Sequence, residues 1–308
     1  MMAVALDRYG APDVLSLREC PQPRPAAGEV LVEVAACGVN PLDWKARAGH
    51  LAGFMPHRLP LIPGWDVVGR VVELGDGVSP DWLDADILAL ADYLHDGGYA
   101  EYARVAVDRL VRRPAALAVP DAASLPTPGL TAMQAIRDAG AIELGERIVV
   151  TGAAGTVGRI ALQIAARIRG VEVIAAIRRN ATERLPRTAD VDIVHVDDDG
   201  LARLRGSVDF VFDTVGGALL AECYRLPRRG GRLVTAVQPV DSDACESAGI
   251  DGRFILVQNN VAQLAELARL RVDGQLDLGT IETLPLAQAA EAHARLEAGG
   301  AGRLVLVP

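Results

Sequence analysis

A chain of 308 residues has room for two domains at the usual ~100–200 residues each, and with 50% of it apolar and 23% charged it is not a disordered polymer. No apolar run approaches the ~20 residues that a membrane helix needs, so no membrane partner is expected. The net charge of −9 is spread along the chain without a basic stripe, which excludes the electrostatic footprint of a nucleic-acid partner.

Met1 to Val4 run directly into Asp7 and Arg8, with no basic segment leading to an apolar core, and this sets the expectation of a cytoplasmic protein. Cys20, Cys37, Cys223 and Cys245 show no paired spacing and no CxxC, so neither a disulfide framework nor a zinc ribbon is signalled. Lys45 is the only lysine among 31 basic residues. It is either an ammonium retained for a task arginine cannot do or a chance survivor, and both readings stay open.

In chain order, Glu29 to Ala36 (EVLVEVAA) alternates as a half-buried strand does, and Asp66 to Leu74 (DVVGRVVEL) repeats the pattern before a turn at Gly75, Asp76 and Gly77. Tyr99 to Val107 continues the strand-rich third, and Pro114 and Pro120 punctuate a change of character. Beyond Asp121, strands at Arg147 to Val150, Glu172 to Ile177, Asp209 to Asp213 and Arg232 to Val237 are interleaved with helical stretches, the first from Gly158 to Arg169. That rhythm predicts βαβ units and a doubly wound parallel sheet, hence an α/β Rossmann domain. Phe254 to Val257 reads as a final edge strand. Helices at Val261 to Val272 and Leu286 to Ala298 and a strand at Arg303 to Val307 end the chain without further βαβ character. The expected division is residues 1–118, a dinucleotide-binding domain at 119–258, and a return to the first domain at 259–308.

After the strand RIVV come Thr151, Gly152, Ala153, Ala154, Gly155, Thr156, Val157 and Gly158, with a helix directly behind. A strand, a glycine turn and a helix N-terminus form a phosphate cradle: Gly155 admits a pyrophosphate close to the backbone, free N–H groups attract it, and Gly158 lets the helix pack tightly. At the end of the next strand, where an acidic residue would accept from the ribose of NAD, this chain has Arg178, Arg179 and Asn180. Two guanidinium groups suit a dianionic 2′-phosphate, so the expected cofactor is NADPH, the alternative being a solvated loop. Thr214, Val215 and Gly216 after the strand Asp209 to Asp213, and Ala236 and Val237 at the end of the strand Arg232 to Val237, fall at strand carboxyl ends, where the ribose and nicotinamide should lie, unless these are turns alone.

These strings, in this order, resemble the medium-chain dehydrogenase/reductase superfamily in its zinc-free quinone oxidoreductase, zeta-crystallin-like branch. The resemblance rests on VAACGVNPLDWKARAG (34–49), IPGWDVVGRVVELGDGV (62–78), GGYAEYA (97–103), TGAAGTVG (151–158) and DTVGG (213–217). It implies a GroES-like β-barrel catalytic domain beside the Rossmann domain, an active site in the cleft, and a homodimer formed through the Rossmann edge strand. Leu256 and Val257 on that edge, with Thr131 in the helix after Pro128 and Gly129, join the implied cofactor contacts. By register, the positions of catalytic zinc ligands in zinc-dependent relatives hold Asn40, Trp65 with Asp66, and Pro128 here, which is no metal set. The Lys and Tyr that assist 2′-phosphate binding in this branch fall near Thr182 and Val196, leaving Arg178 and Arg179 to carry that task. The barrel segment Pro80 to Leu94 lacks the usual Gly-Asp turn and reads as irregular.

The implied function is hydride transfer from NADPH to a quinone or an α,β-unsaturated carbonyl without a metal, the protein orienting the acceptor and stabilising negative charge on its oxygen. Asn40 is expected at the nicotinamide ribose or the substrate, Asp43 as an orienting group, and Lys45 as a source of charge or a proton; Asp43 and Lys45 are alternatively a surface pair. A pathway-specific enoyl reductase acting on carrier-bound or natural-product substrates, and a non-catalytic NADPH sensor, are the other readings.

Overall fold

The computed structural model describes residues 1–53, 55–187, 191–299 and 302–308. It divides into two units, Met1–Thr127 with Asn259–Asp273 and Thr280–Pro308, and Pro128–Gln258 with Gly274–Gly279.

Alternating apolar residues build the first unit. A four-residue hairpin pair, β1 (Met2–Ala5) and β2 (Ser16–Glu19), precedes the ten-residue β3 (Glu29–Gly38). After the helix α1 (Pro41–Arg47) come β4 (Asp66–Leu74), β5 (Asp86–Leu90), β6 (Tyr102–Ala106), β7 (Leu110–Arg112) and the short helix α2 (Val119–Ala123). β3 and β4 pair antiparallel from Val30↔Leu74 to Gly38↔Asp66, which sets Val30, Val32, Val34, Val67, Val68 and Val71 into the core. The segment expected to be irregular contains β5, paired with β4 and β7. The turn before β5 is made without glycine: Asp84 takes the left-handed conformation (φ 62°), which the short polar side chain tolerates. Residues 119–127 group with this unit, where α2 packs on β3 and β4.

The second unit opens within the helix α3 (Pro126–Met133) and continues through β8 (Arg147–Thr151), α4 (Thr156–Ala165), β9 (Glu172–Ile177) and β10 (Asp192–His195). Then follow β11 (Val208–Asp213), α5 (Gly217–Cys223), β12 (Pro227–Thr235), α6 (Ser242–Ala248) and β13 (Asp251–Phe254). The six strands lie in the order β10-β9-β8-β11-β12-β13, all pairs parallel. This is the doubly wound order, whose direction reverses between β8 and β11, and a ligand belongs outside the carboxyl ends of the strands at that point. The edge strand lies earlier than the expected Phe254 to Val257, because α6 ends at Gly249 and pairing with β12 begins at Asp251. Leu256 and Val257 therefore follow the strand rather than form it.

The C-terminal elements are α7 (Val261–Val272), β14 (Ile281–Pro285), α8 (Ala289–Ala298) and β15 (Arg303–Val307). β15 pairs with β3 at Cys37 and Gly38. Gly274–Gly279 belongs to the second unit because Asp277 is tied to α4: its N–H donates to Gln163 Oε1 (2.7 Å), and its carboxylate accepts from Arg159 (2.6 Å).

Candidate functional site

In the second unit, the turn between β8 and α4 is glycine-built for reasons of space. Gly152 sits at φ 62°, and a Cβ there would lie 2.4 Å from Thr214 Oγ1. A Cβ on Gly158 would lie 2.4 Å from the Gly152 carbonyl oxygen and 2.8 Å from Ala153 Cα, so the first turn of α4 rests directly on the loop. Gly155 is exposed, with only the Gly152 oxygen (3.1 Å) near its missing Cβ. The N–H groups of Thr156, Val157 and Gly158, in the first turn of α4, have no carbonyl within the helix to bond and sit at the positive end of its dipole.

The reversal point is locked by a residue without an assigned part in the sequence reading. Asp213, fully buried at the end of β11, accepts from Thr151 Oγ1 (2.7 Å) on β8 and from Thr235 Oγ1 (2.9 Å) on β12. Its two oxygens also accept from the backbone N–H of Val215 (3.2 Å) and Gly216 (3.0 Å). One carboxylate thereby fixes the carboxyl ends of three adjacent strands and the loop Thr214 to Gly216. Thr214 closes the other side, its hydroxyl donating to the Thr151 carbonyl (2.7 Å). Val237 N–H donates to Thr235 Oγ1 (3.2 Å), which brings the loop of Ala236 and Val237 into the same set. Thr131 is buried in α3, and Val257 is buried beyond β13, where Leu256 offers its carbonyl to Gln258 Nε2 (3.1 Å).

Arg178 and Arg179 follow β9, both exposed. They do not stand alone. Both Asp197 oxygens accept from the Arg179 N–H (3.1 Å each), which holds the Asp197 carboxyl below its usual range, and the Arg179 guanidinium pairs with Asp198.

The first unit gathers Asn40, Asp43, Asp66 and Arg303, all nearly or fully buried. Asn40 caps α1: its N–H donates to Asp43 Oδ2 (2.6 Å). Its side chain bridges two charges, Nδ2 donating to Asp66 Oδ2 (2.9 Å) and Oδ1 accepting from Arg303 Nη1 (2.7 Å). Arg303 also donates to Asp66 Oδ2 (3.0 Å) and to the carbonyls of Val39 (2.8 Å) and Ala123 (2.7 Å). Asp66 Oδ1 accepts from the N–H (2.8 Å) and hydroxyl (2.6 Å) of Thr127. A direct ligand contact by Asn40 would have to use what these bonds leave over, one lone pair and one N–H. Trp65 is 1% exposed and stacks on His57 in the core, so it lines no surface pocket.

Asp43 is 1% exposed, which overturns the reading of a surface pair with Lys45. Burial pushes its carboxyl up to about 8, against the pull of the Asn40 N–H. The Tyr99 hydroxyl stands 3.4 Å from Asp43 Oδ2 and 3.1 Å from His293 Nε2, and burial, aided by the Arg47 charge, drives His293 down to about 3. Lys45 is half-buried, its ammonium 6.0 Å from the Trp44 ring centroid, and desolvation lowers its pKa. Arg303, His293 and Asp213 are the residues that sequence reasoning missed. Asp213 alone left a signal, as the acid that heads the DTVGG string.

Two family models match the chain: "Alcohol dehydrogenase GroES-like domain" over residues 26–115, and "Zinc-binding dehydrogenase" over residues 181–306. Among curated proteins, the chloroplast envelope quinone oxidoreductase homolog of Arabidopsis thaliana is 38% identical over 172 residues, 54% of this chain and 52% of that protein, so the chain matches about half the length of that relative. The quinone oxidoreductase of Lama guanicoe is 29% identical over the whole of this chain and 97% of its own. Among solved structures, mycobacterial Rv1454c complexed with NADPH superposes with a TM-score of 0.87 at 27% identity, all of both chains being covered. With its GroES-like sheet, its six-stranded parallel sheet and these relatives, the chain belongs to the medium-chain dehydrogenase/reductase superfamily, in the quinone oxidoreductase branch.

Proposed function

We propose that the protein is an NADPH-dependent oxidoreductase that delivers hydride to a quinone or an α,β-unsaturated carbonyl without a metal ion. The carrying observation is the glycine turn at the reversal point of the parallel sheet, clamped by Asp213, with two arginines at the end of the neighbouring strand. That turn suits a pyrophosphate: the glycines leave no side chain between the backbone and a ligand, and the N–H groups of Thr156, Val157 and Gly158 are available as donors. Gly152, Ala153 and Gly155 shape the cradle. Thr131, Thr214, Val215, Gly216, Ala236, Val237, Leu256 and Val257 would line the rest of the dinucleotide, and Arg178 and Arg179 would hold its 2′-phosphate.

When bound, the reduced nicotinamide supplies the hydride; the chain supplies orientation and electrostatics. Asn40 and Asp43 act as positioning residues for the start of α1, which carries Lys45. Lys45 is the candidate for the positive charge that a developing oxyanion requires. Zinc does not fit: Asp66, the one metal-capable side chain among the register positions, has both oxygens engaged by Thr127, Asn40 and the Arg303 guanidinium.

No helix of the described residues is long and apolar enough to cross a membrane, and the four cysteines are free, which supports a reducing, cytoplasmic setting. The outer edge of β13, with Phe254 37% exposed, supports a homodimer by edge-strand pairing.

The test is oxidation of NADPH and NADH, followed at the reduced nicotinamide absorbance band, with benzoquinone, phenanthrenequinone and a simple enone. Turnover with NADPH and one of these acceptors is the expected result. Tight NADPH binding without oxidation of any acceptor would contradict it and favour a sensor.

A further inference from the structure

The seat offered to a 2′-phosphate already holds carboxylates. β9 and β10 are adjacent parallel strands, and their carboxyl ends carry Arg178–Arg179 and Asp197–Asp198 respectively, with Val196 N–H still pairing to the Ile177 carbonyl (2.9 Å). A 2′-phosphate arriving at the end of β9 would seek the first free backbone N–H and the nearest guanidinium. Here the N–H of Arg179 is shared by both oxygens of Asp197, at 3.1 Å each, and the Arg179 guanidinium is paired with Asp198. Thr182, one helical turn on, is turned inward, donating to the Arg179 carbonyl (2.9 Å) and lying 3.3 Å from His195 Nε2. Arg178, the other guanidinium at this strand end, is exposed.

We propose that Asp197 and Asp198 are specificity-determining residues that set the cofactor preference, by placing an internal anion on the donors a 2′-phosphate would use. The proposal rests on the reading of this unit as a nicotinamide-dinucleotide site. A dianionic phosphate must displace Asp198 from the guanidinium and sit against two carboxylates, whereas the 2′-hydroxyl of NADH donates to Asp197 as it would to the ribose-binding acid of an NAD enzyme. The pair Arg179–Asp198 is more than half exposed on the arginine side, so it is a weak, displaceable contact that taxes NADPH without excluding it. The chain should discriminate between the two cofactors far less than its two arginines suggest.

The experiment titrates NADPH and NADH separately into the full-length protein, read by nicotinamide fluorescence, for the wild type, Asp197→Asn, Asp198→Asn and the control Asp199→Asn. All three positions are exposed, and circular dichroism verifies the fold of each variant. Removing one carboxylate charge beside the phosphate should tighten NADPH by about tenfold for Asp197→Asn and Asp198→Asn. NADH should be unchanged or, for Asp197→Asn, weaker, and Asp199→Asn should shift NADPH by less than about twofold, as expected for a solvated charge outside the seat. Unchanged NADPH affinity in the first two variants overturns the proposal. So does an equal gain in all three, which would be a general charge effect. If the wild type binds neither cofactor, the dinucleotide reading itself falls.

Discussion

Asp66 and Asp213 are both 0% exposed, and the structure holds them by opposite means. Asp66, in the first unit, faces a fixed cation: Arg303, 4% exposed, bridges it to Asn40 while Thr127 covers the other oxygen. Asp213, in the second unit, has no cation among its hydrogen-bond donors and is held by two threonine hydroxyls and two backbone N–H groups. An ion pair of the first kind fixes a charge and a geometry together, and is costly when one partner is lost. A cage of neutral donors exists only when three strand ends and their loops have come together, so it reports on the shape of the ligand-facing edge. The difference separates the tasks of the two units: one presents a fixed electrostatic arrangement, the other a shaped turn.

Breaking the ion pair should give the largest effect. Arg303→Met leaves Asp66 charged, buried and half-satisfied, and should cost about 3–5 kcal/mol in chemical denaturation. Nicotinamide dinucleotide affinity, which belongs to the other unit, should hold in the fraction that remains folded. Asp213→Asn should invert the pattern. Replacing one acceptor oxygen by an NH2 group sets it against the Gly216 N–H and the Thr235 hydroxyl, for a cost of about 1–3 kcal/mol. NADPH affinity should fall by more than that loss of stability alone produces, because the loop Thr214 to Gly216 is released.

The smallest effect is a slope. The Asp43 carboxyl is raised by burial to about 8 from the ordinary 3.8, so the folded chain keeps a proton that the unfolded chain has lost. Its contribution to stability therefore declines as pH rises through that interval. His293, lowered to about 3 from 6.5, acts in the opposite sense, adding stability as pH climbs to 6.5 and nothing beyond. Between about pH 6.5 and 8 the Asp43 decline stands unopposed by His293, and Asp43→Asn should flatten it in denaturation measured across that range.

The features legible in the sequence are those carried by local pattern. Asp66–Leu74, Glu172–Ile177, Val261–Val272 and Arg303–Val307 have the bounds that periodicity suggests, and the glycine turn is readable because its strand, loop and helix are contiguous. β10 escaped because DIVH is four residues with a polar residue at each end, a strand only by virtue of its neighbour β9. The edge strand was displaced because DGRF carries little apolar signal, while the apolar run after it forms no ladder. Arg303 reads from sequence only as the first residue of a strand. Its partner Asp66 is 237 positions away, and His293 lies 194 positions from Tyr99, so no local spacing could announce either pairing. Asp213 was visible as a letter, but its role depends on β8 and β12 flanking β11, a fact of sheet order.

The proposed hydride transfer without a metal ion rests on Asp66, at the register position of a zinc ligand, being engaged by Arg303, Asn40 and Thr127 instead. It is tested most directly by measuring zinc content and NADPH-dependent quinone reduction on one preparation, before and after chelator treatment. Substoichiometric zinc with undiminished turnover is the result this account requires. One zinc per chain, with turnover lost on chelation and restored by added zinc, would contradict it.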